Sequence, residues 1–398
     1  MPVTGQFWKE CFGKVNSINP LGFSMSGIYI HIPFCKQACH YCNFHFSTSL
    51  KYKKELLLAL KREIDLRTGY LDNAQLETIY FGGGTPSLLD PDEISSLIEH
   101  LAAHYTISPH AEITLEANPD DLSSEKLIGL RQTPVNRLSI GIQSFSDTDL
   151  QFMNRAHNAN EAIACLQNAL GIGFTNLSID LIYGTPTLSR EQWQTNLATV
   201  VDLGIPHISA YCLTVEPKTA LQHFIEVGKA APVDEIQAEE HFEILTQTLA
   251  KHGYQHYEIS NFCLPGHIAK HNSSYWIGKP YLGIGPSAHS FNGISRQWNV
   301  ANNALYLKAI NQDTIPAEVE VLSVNNRFNE YLMTTLRTSW GCRMAYIESV
   351  FGKSFALHLI KGSKKYIESG KMSMVEEVLY LLPDARFTAD AIISDLFI

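Results

Sequence analysis

The sequence has no long hydrophobic run and no excess of positive charge, and each absence excludes a class of protein. No apolar stretch approaches the ~18 residues that a membrane-spanning helix needs, which argues against a transmembrane protein. The 30 Lys+Arg against 40 Asp+Glu leave a net charge of −10, which disfavours nucleic acid as a partner. The first 25 residues contain no continuous apolar segment of the kind that a secretory signal requires. We therefore predict a cytoplasmic protein that does not bind nucleic acid.

Cysteine is also sparse, with 8 residues in a chain of 398. Disulfide frameworks are typical of small secreted domains, and this chain is neither small nor of secreted type, so the even count does not indicate disulfide pairing. Five cysteines are scattered singly, whereas Cys35, Cys39 and Cys42 lie within eight residues. This short segment is the first candidate for chemistry.

Strand-like segments alternate with segments of helical period between residues 26 and 215. The predicted strands are residues 27–33, 77–81, 111–116, 137–142, 176–183 and 207–213. The predicted helices between them are residues 51–68, 90–104, 123–132, 159–170 and 190–203. Such alternation favours an α/β fold with a parallel sheet and right-handed crossovers. Six units instead of eight predict a partial (β/α)6 barrel, with an open sheet as the alternative, and the working face lies at the carboxyl ends of the strands.

The pattern divides the chain into four regions. Residues 1–24 are an N-terminal extension or a start-site artefact ahead of Met25, and residues 25–230 form the partial barrel. Residues 231–310 form a connecting region with a helix at 234–252 and an expected irregular stretch at 254–299. Residues 311–398 are predicted to be a smaller C-terminal helical or α+β domain.

The segment Cys35-Lys-Gln-Ala-Cys39-His-Tyr-Cys42 follows directly after the first predicted strand. Three thiolates can hold three irons of a cubane iron–sulfur cluster and leave the fourth iron open to a small chelating molecule. The alternatives are three buried free thiols or a zinc site. Structural zinc takes four ligands, and His40 is awkwardly placed between two cysteines to supply the fourth.

This spacing resembles that of the radical S-adenosylmethionine (SAM) superfamily. Gly82-Gly83-Gly84-Thr85-Pro86 stands where that superfamily has its glycine-rich contact to the SAM amino group, one βα unit after the cysteines. Further segments resemble the branch that contains oxygen-independent coproporphyrinogen III oxidase and the HemW haem chaperones. They are Tyr29-Ile30-His31-Ile32-Pro33-Phe34, Glu116-Ala117-Asn118-Pro119, Gly141-Ile142-Gln143-Ser144-Phe145, Met153-Asn154-Arg155 and Asp180-Leu181-Ile182-Tyr183-Gly184.

The resemblance implies that Cys35, Cys39 and Cys42 hold a 4Fe–4S cluster, which passes one electron to SAM and cleaves it. It also assigns contacts to SAM, at Tyr29, Tyr41, Gly83, Gly84, Thr85, Glu116, Gln143, Arg155 and Asp180. Carboxylates suit ribose hydroxyls, and a guanidinium suits a carboxylate. Taken singly, Tyr29 could belong to the core, Glu116 and Asp180 could cap helices, and Arg155 could be a surface charge.

Within this branch the HemW hallmark is HNxxYW, which is present here as His271-Asn272-Ser273-Ser274-Tyr275-Trp276. An imidazole can ligate haem iron while rings pack on the macrocycle, so His271, Asn272, Tyr275 and Trp276 are the predicted haem residues. Taken alone, His271 could as easily be a hydrogen-bonded structural residue and Trp276 a core anchor. The oxidase carries a further cysteine two residues past the third ligand, where this chain has Phe44. It also has a longer N-terminal region.

The sequence therefore favours a haem chaperone that binds a 4Fe–4S cluster, SAM and haem and delivers haem to apo-haemoproteins. The alternatives are the coproporphyrinogen oxidase itself and a radical SAM enzyme that acts on another substrate, because fold and cofactor do not fix the substrate. The resemblance also allows a membrane-bound acceptor and a homodimer.

Overall fold

The computed structural model describes residues 25–72 and 74–398, so the N-terminal extension at 1–24 lies outside the described residues. Fifteen strands and fourteen helices occupy the described part of the chain. The strands are β1 Met25–Ile32, β2 Gln75–Gly83, β3 Ile107–Ala117, β4 Arg137–Gln143, β5 Leu177–Tyr183, β6 His207–Cys212, β7 Gln255–Glu258, β8 Asn261–Cys263, β9 Tyr281–Ile284, β10 His289–Phe291, β11 Ser295–Asn299, β12 Ala317–Val321, β13 Cys342–Arg343, β14 Met372–Val375 and β15 Val378–Leu381. The helices are α1 Lys53–Leu66, α2 Pro91–His104, α3 Ser124–Arg131, α4 Asp147–Phe152, α5 Ala159–Gly171, α6 Arg190–Asp202, α7 Ala220–Glu226, α8 Glu235–Lys251, α9 Lys270–Trp276, α10 Asn303–Ile310, α11 Val324–Leu336, α12 Met344–Val350, α13 Lys353–Glu368 and α14 Ala389–Ser394.

One twelve-stranded sheet organises most of the molecule, in the order β12-β11-β10-β9-β1-β2-β3-β4-β5-β6-β8-β7. Strands β1 to β6 are parallel to one another, β9 is parallel to β1, and β8 is antiparallel to β6. All six predicted strands and all five predicted helices of the βα repeat are present. The end strands β12 and β7 do not pair with each other, so the described sheet stays open, as an incomplete barrel must.

The βα repeat could be predicted from the sequence because its strands are buried and several of its helices start with a capping box. All seven residues of β4 are buried, as expected for a parallel strand that is covered on both faces. Helices α2, α5 and α6 each start with a capping box, at Asp90, Asn158 and Ser189, in which the cap and the third helical residue satisfy each other's backbone donors.

The expectation of an irregular stretch at 254–299 was wrong. That region contains β7 to β11 and α9, and its strands extend the sheet at both edges. These strands have only three to five residues, too few for an alternating pattern to show in the sequence.

The described residues pack into one large core around the sheet and a second core made by residues between Phe328 and Leu396. The second core covers a small antiparallel sheet of β13, β15 and β14. None of the described helices combines the length and the apolarity that crossing a bilayer demands.

A fully buried carboxylate joins the first βα unit to the added strands. Glu63 on α1 accepts hydrogen bonds from the Tyr306 hydroxyl (2.6 Å), the Gly285 amide (2.8 Å) and the Asn299 side chain (2.8 Å). The Arg67 guanidinium supplies the compensating charge at 3.2 Å. These donors come from α1, the β9–β10 turn, β11 and α10, so a single side chain fixes how those elements meet.

Glu63→Ala is expected to destabilise the fold by about 3–5 kcal/mol, because it leaves the Arg67 charge buried without its partner. Denaturant unfolding followed by circular dichroism measures the change. The exposed Glu99→Ala on α2 is the matched control and should cost less than about 0.5 kcal/mol. Equal stabilities of the two variants would contradict the structural role given to Glu63.

Candidate functional site

The three cysteines lie on a loop that leaves β1 at its carboxyl end and is tied back to the chain that follows it. The Ser47 amide donates to the Pro33 carbonyl (2.8 Å), and the Cys35 amide donates to the Ser47 carbonyl (3.1 Å). These two bonds close the loop at its base. The cysteines therefore sit at the edge where the predicted working face lies.

The segment after α4 holds the other end of the loop. The Asn154 side-chain amide donates to the Ala38 backbone carbonyl (2.7 Å), and the Gln37 side-chain amide donates to the Asn154 backbone carbonyl (2.8 Å). Asn154 takes a left-handed conformation with φ 56°, which asparagine tolerates better than most residues. On the opposite side the His40 carbonyl accepts from the Leu221 amide of α7 (2.8 Å). The loop is thus positioned by partners more than 100 residues away.

The glycine-rich turn after β2 contacts the cysteine loop through its backbone. The Gly84 amide donates to the Ile32 carbonyl (2.9 Å), and the Thr85 amide donates to the Phe34 carbonyl (2.6 Å). A Cβ atom on Gly84 would stand 2.5 Å from the Phe34 carbonyl oxygen, so only glycine fits. Gly83 has φ 108°, a conformation that also favours glycine.

A chain of side-chain hydrogen bonds links the first two cysteines. The Thr85 hydroxyl donates to the Cys35 sulfur (3.5 Å) and accepts from the Asn118 amide (3.2 Å). The Asn118 side-chain oxygen accepts from the Arg155 guanidinium (2.7 Å), which also donates to the Cys39 sulfur (3.3 Å). We call Thr85, Asn118 and Arg155 the thiol cradle.

The cradle suits sulfur that carries negative charge. Burial raises the pKa of Cys35 to about 11, with neighbouring Cys42 and Cys39 adding to the rise, and burial also raises the pKa of Cys42. Metal binding requires the thiolate, so loading this loop must release protons. The Arg155 guanidinium offsets the negative charge, and its buried Nε has no hydrogen-bond partner among the described residues.

In this conformation the three thiols are not arranged as ligands of one zinc ion. In the described part of the chain, at least two of the three cysteine sulfurs are more than 4.8 Å apart. Tetrahedral zinc at 2.3 Å from each sulfur would hold the sulfurs about 3.8 Å apart. His40, the sequence alternative for a fourth zinc ligand, instead pairs its Nδ1 with the Phe152 carbonyl (2.8 Å).

Two carboxyls, Glu116 on β3 and Asp180 on β5, lie on the two strands that flank β4 in the sheet. Glu116 accepts from the Tyr80 hydroxyl (2.7 Å) and from the Gly83 amide (3.2 Å). Burial raises the pKa of Glu116 to about 7, although the Tyr80 bond opposes the rise. Burial likewise raises the pKa of Asp180 to about 6, against hydrogen bonds from Ser209 and Ser139. Raised pKa values at two carboxyls of one site are typical of a functional site.

Three other predicted SAM residues, Gln143, Tyr41 and Tyr29, come from β4, the cysteine loop and β1. Gln143 ends β4 with φ 69°. Its side-chain nitrogen and the Arg155 guanidinium both lie beside Gly141. Tyr41 packs against the small apolar cluster that includes Leu150 and Leu213. Tyr29 stacks on Tyr80 with ring centroids 6.0 Å apart. The structure therefore brings the predicted residues together at one end of the sheet.

The predicted haem residue His271 lies inside the protein. Its Nδ1 pairs with the Thr78 hydroxyl (2.7 Å), its Nε2 pairs with the Tyr275 hydroxyl (2.8 Å), and its ring stacks on Tyr80 at 4.9 Å. Burial lowers the pKa of His271 to about 3, so the imidazole is neutral. Both ring nitrogens are thus occupied in this conformation.

The rest of the hexapeptide links the barrel to the C-terminal part of the chain. Glu112 of β3 accepts from the backbone amides of Lys270 (3.0 Å) and His271 (2.9 Å), which caps α9. Trp276 packs beside Tyr257, and the Arg337 guanidinium lies 5.6 Å from its ring centroid. The indole nitrogen of Trp276 is buried and has no hydrogen-bond partner among the described residues. Asn272 is partly exposed.

Sequence reasoning missed two residues of this site, Asn118 and Tyr80. Asn118 lies in the segment Glu116-Ala117-Asn118-Pro119, one residue past the end of β3. Because the carboxyl ends of the strands form the site, this position could have indicated a site residue. Tyr80 gave no such signal, because an aromatic residue inside a strand usually belongs to the core.

The chain is similar to known proteins over most of its length. The model of the Radical SAM superfamily matches residues 29–200. The heme chaperone HemW of Mycobacterium tuberculosis is 33% identical over 389 residues, which cover 96% of this chain and 97% of the relative. The heme chaperone HemW of Bacillus subtilis is 31% identical, with 92% of this chain and 98% of the relative covered.

A solved structure shares the fold. Coproporphyrinogen III oxidase (HemN) from Escherichia coli superposes with a TM-score of 0.81, covering 94% of this chain and 90% of that chain at 24% identity. This likeness confirms the predicted fold class, a partial barrel of the radical SAM type.

Glu116→Gln should stabilise the ligand-free protein at neutral pH. Between pH 4.5 and about 7 the folded chain keeps a proton on Glu116 that the unfolded chain has released, so stability falls as pH rises through that window. Glutamine has no proton to lose, so the variant should gain about 1–3 kcal/mol above pH 7 and lose this pH dependence.

Urea unfolding at pH 5, 6, 7 and 8 tests this expectation. Glu99→Gln, an exposed change, is the control and should follow the wild-type pH profile. A Glu116→Gln profile parallel to that of the wild type would contradict the raised pKa.

Proposed function

The chain belongs to the HemW family of the radical SAM superfamily, and on that basis we propose that it binds a 4Fe–4S cluster, SAM and haem and delivers haem to apo-haemoproteins. The observation that carries the proposal is its similarity, at 33% identity, to a heme chaperone HemW that covers 96% of this chain. The geometry of the thiol cradle supports the cofactor part, and the HNxxYW segment supports the haem part.

Cys35, Cys39 and Cys42 would hold the cluster, and the open iron would take the amino and carboxylate groups of SAM. When bound, the pair supplies one-electron reductive chemistry. The protein's own contribution is positional. Arg155 places positive charge beside the sulfurs, the Gly83 and Gly84 turn allows the backbone to approach, and Glu116 and Asp180 offer carboxylates to hydroxyl groups.

The coproporphyrinogen oxidase alternative has less support. The position of the oxidase's further cysteine is occupied by Phe44, which is 70% exposed on the outside of the cysteine loop. The likeness to the solved oxidase is at 24% identity and carries the fold only. No other contact among the described residues favours that activity, so we propose a single function.

Haem binding at the hexapeptide would require His271 to release one partner. Its Nε2 is held by the Tyr275 hydroxyl, and a hydrogen bond of this kind is worth about 1 kcal/mol net. We propose that His271 exchanges Tyr275 for haem iron, and that the rings of Tyr275 and Trp276 pack on the macrocycle, with Asn272 at the exposed side. The same exchange would loosen the Trp276 contacts with the C-terminal part of the chain.

The acceptor is proposed to be an apo-haemoprotein, with membrane-bound acceptors included. We further propose the cytoplasm as the compartment and a homodimer as an accessible state. The proposed domain division at residues 25–230, 231–310 and 311–398 places the hexapeptide in the connecting region, between the cofactor site and the second core.

Haem titration of the anaerobically reconstituted protein, followed by the Soret band, tests this proposal. Wild type should bind saturably. His271→Ala should bind at least about tenfold more weakly with a shifted Soret band, because the side chain that would ligate the iron is removed. Tyr275→Phe should bind up to about fivefold more tightly, because Nε2 no longer has a partner to give up.

His252→Ala, on an exposed histidine elsewhere, is the matched control and should behave as wild type. Circular dichroism and thermal unfolding establish that each variant is folded. If His271→Ala and wild type give the same affinity and Soret position, the ligand assignment is wrong. If wild type binds no haem specifically, the chaperone function is wrong, and coproporphyrinogen turnover becomes the next assay.

A further inference from the structure

A second group of metal-ligating side chains lies outside the cofactor site, on the outer helical layer. His100 and His104 stand one turn apart on α2 and face Asp65 on α1. The ligand atoms of these three residues all lie within 4.8 Å of one another, and no other such group of three occurs in the part of the chain that the structure describes. We propose that Asp65, His100 and His104 form a binding site for a divalent transition-metal ion of the zinc type.

The distances are close to those of a metal site. The Nε2 atoms of His100 and His104 lie 2.8 Å and 2.9 Å from the same carboxylate oxygen of Asp65. An ion at about 2.0–2.1 Å from nitrogen and oxygen ligands in tetrahedral geometry needs ligand atoms about 3.3 Å apart. The side chains therefore have to spread by about half an ångström, which partly exposed side chains accommodate by small rotations.

The surroundings of the site favour a cation. Asp65 is the penultimate residue of α1, and His104 is the last residue of α2. Two helix carboxyl termini, each carrying partial negative charge, thus converge on the site. The cation facing Asp65 is Arg62, 3.8 Å from the other carboxylate oxygen, and its Nε is engaged by Asp313 at 2.7 Å.

The ligand set also indicates which metal would bind. Two imidazoles and one carboxylate suit zinc and its transition-metal neighbours, whereas calcium and magnesium prefer oxygen alone. The three side chains keep about 30% of their surface exposed, so an ion can enter and water can complete the coordination.

A bound ion would fasten α1 to α2. The cysteine loop lies between β1 and α1, and the glycine turn lies between β2 and α2. The ion would therefore clamp the two βα units that carry both loops. The site uses none of the residues assigned to cluster, SAM or haem, so it does not depend on the proposed function.

Cobalt titration of the full-length chain tests the proposal, with calorimetry of zinc binding beside it. Wild type should bind one equivalent of Co²⁺ that shows visible d–d bands without sulfur-to-cobalt charge transfer. His104→Ala and Asp65→Asn should each weaken the affinity by about tenfold or more, because one of three protein ligands is lost. Both changes are on the surface, and circular dichroism verifies folding.

His252→Ala is the matched control and should leave the affinity unchanged. Zinc should also raise the thermal unfolding temperature of wild type and of the control but not of His104→Ala. Absence of binding, equal affinity in wild type and both site variants, or binding accompanied only by sulfur charge transfer would each overturn the proposal. The last result would assign the ion to the cysteine loop instead.

Discussion

Three thiols must be presented together by a short loop that has no regular secondary structure of its own, and the rest of the site depends on how that loop is held. Few backbone bonds lie within the loop, chiefly the two at its base that involve Ser47, so most of its partners come from other elements. The glycine turn follows β2, Asn118 of the thiol cradle follows β3, and Asn154 and Arg155 come from the unit that starts with β4. This is why the cysteines alone do not make a site, and why the parallel sheet that brings these units to one edge is required.

The same arrangement places ionisable side chains where burial disfavours their charged forms. Burial raises the pKa values of Glu116 and Asp180, and the buried Nε of Arg155 has no partner within residues 25–72 and 74–398. Glu63 is fully buried as well, and there the Arg67 guanidinium and three further donors hold the carboxylate. Carboxyls with raised pKa values therefore occur at the site, as is typical of functional groups.

The βα repeat could be predicted from the sequence because each strand is long and buried and several helices start with a local cap. The cysteine loop and the glycine turn could also be placed, since both directly follow predicted strands. The environment of His271 could not be predicted. A hexapeptide indicates that an imidazole lies near two aromatic rings, but it does not show that Thr78 and Glu112, more than 150 residues earlier, would bury and cap it. Asn118 was missed for a similar reason, because its role is defined by Thr85 and Arg155 and not by its neighbours in sequence.

The central claim is that Cys35, Cys39 and Cys42, positioned by the thiol cradle, hold a cluster with one iron open to SAM. Electron paramagnetic resonance of the reduced, reconstituted protein with and without SAM tests it most directly. We expect a cluster signal whose shape changes on addition of SAM, and no signal from a Cys35→Ala, Cys39→Ala or Cys42→Ala chain. A wild-type signal that is indifferent to SAM, or full iron and sulfide in the cysteine variants, would contradict the account.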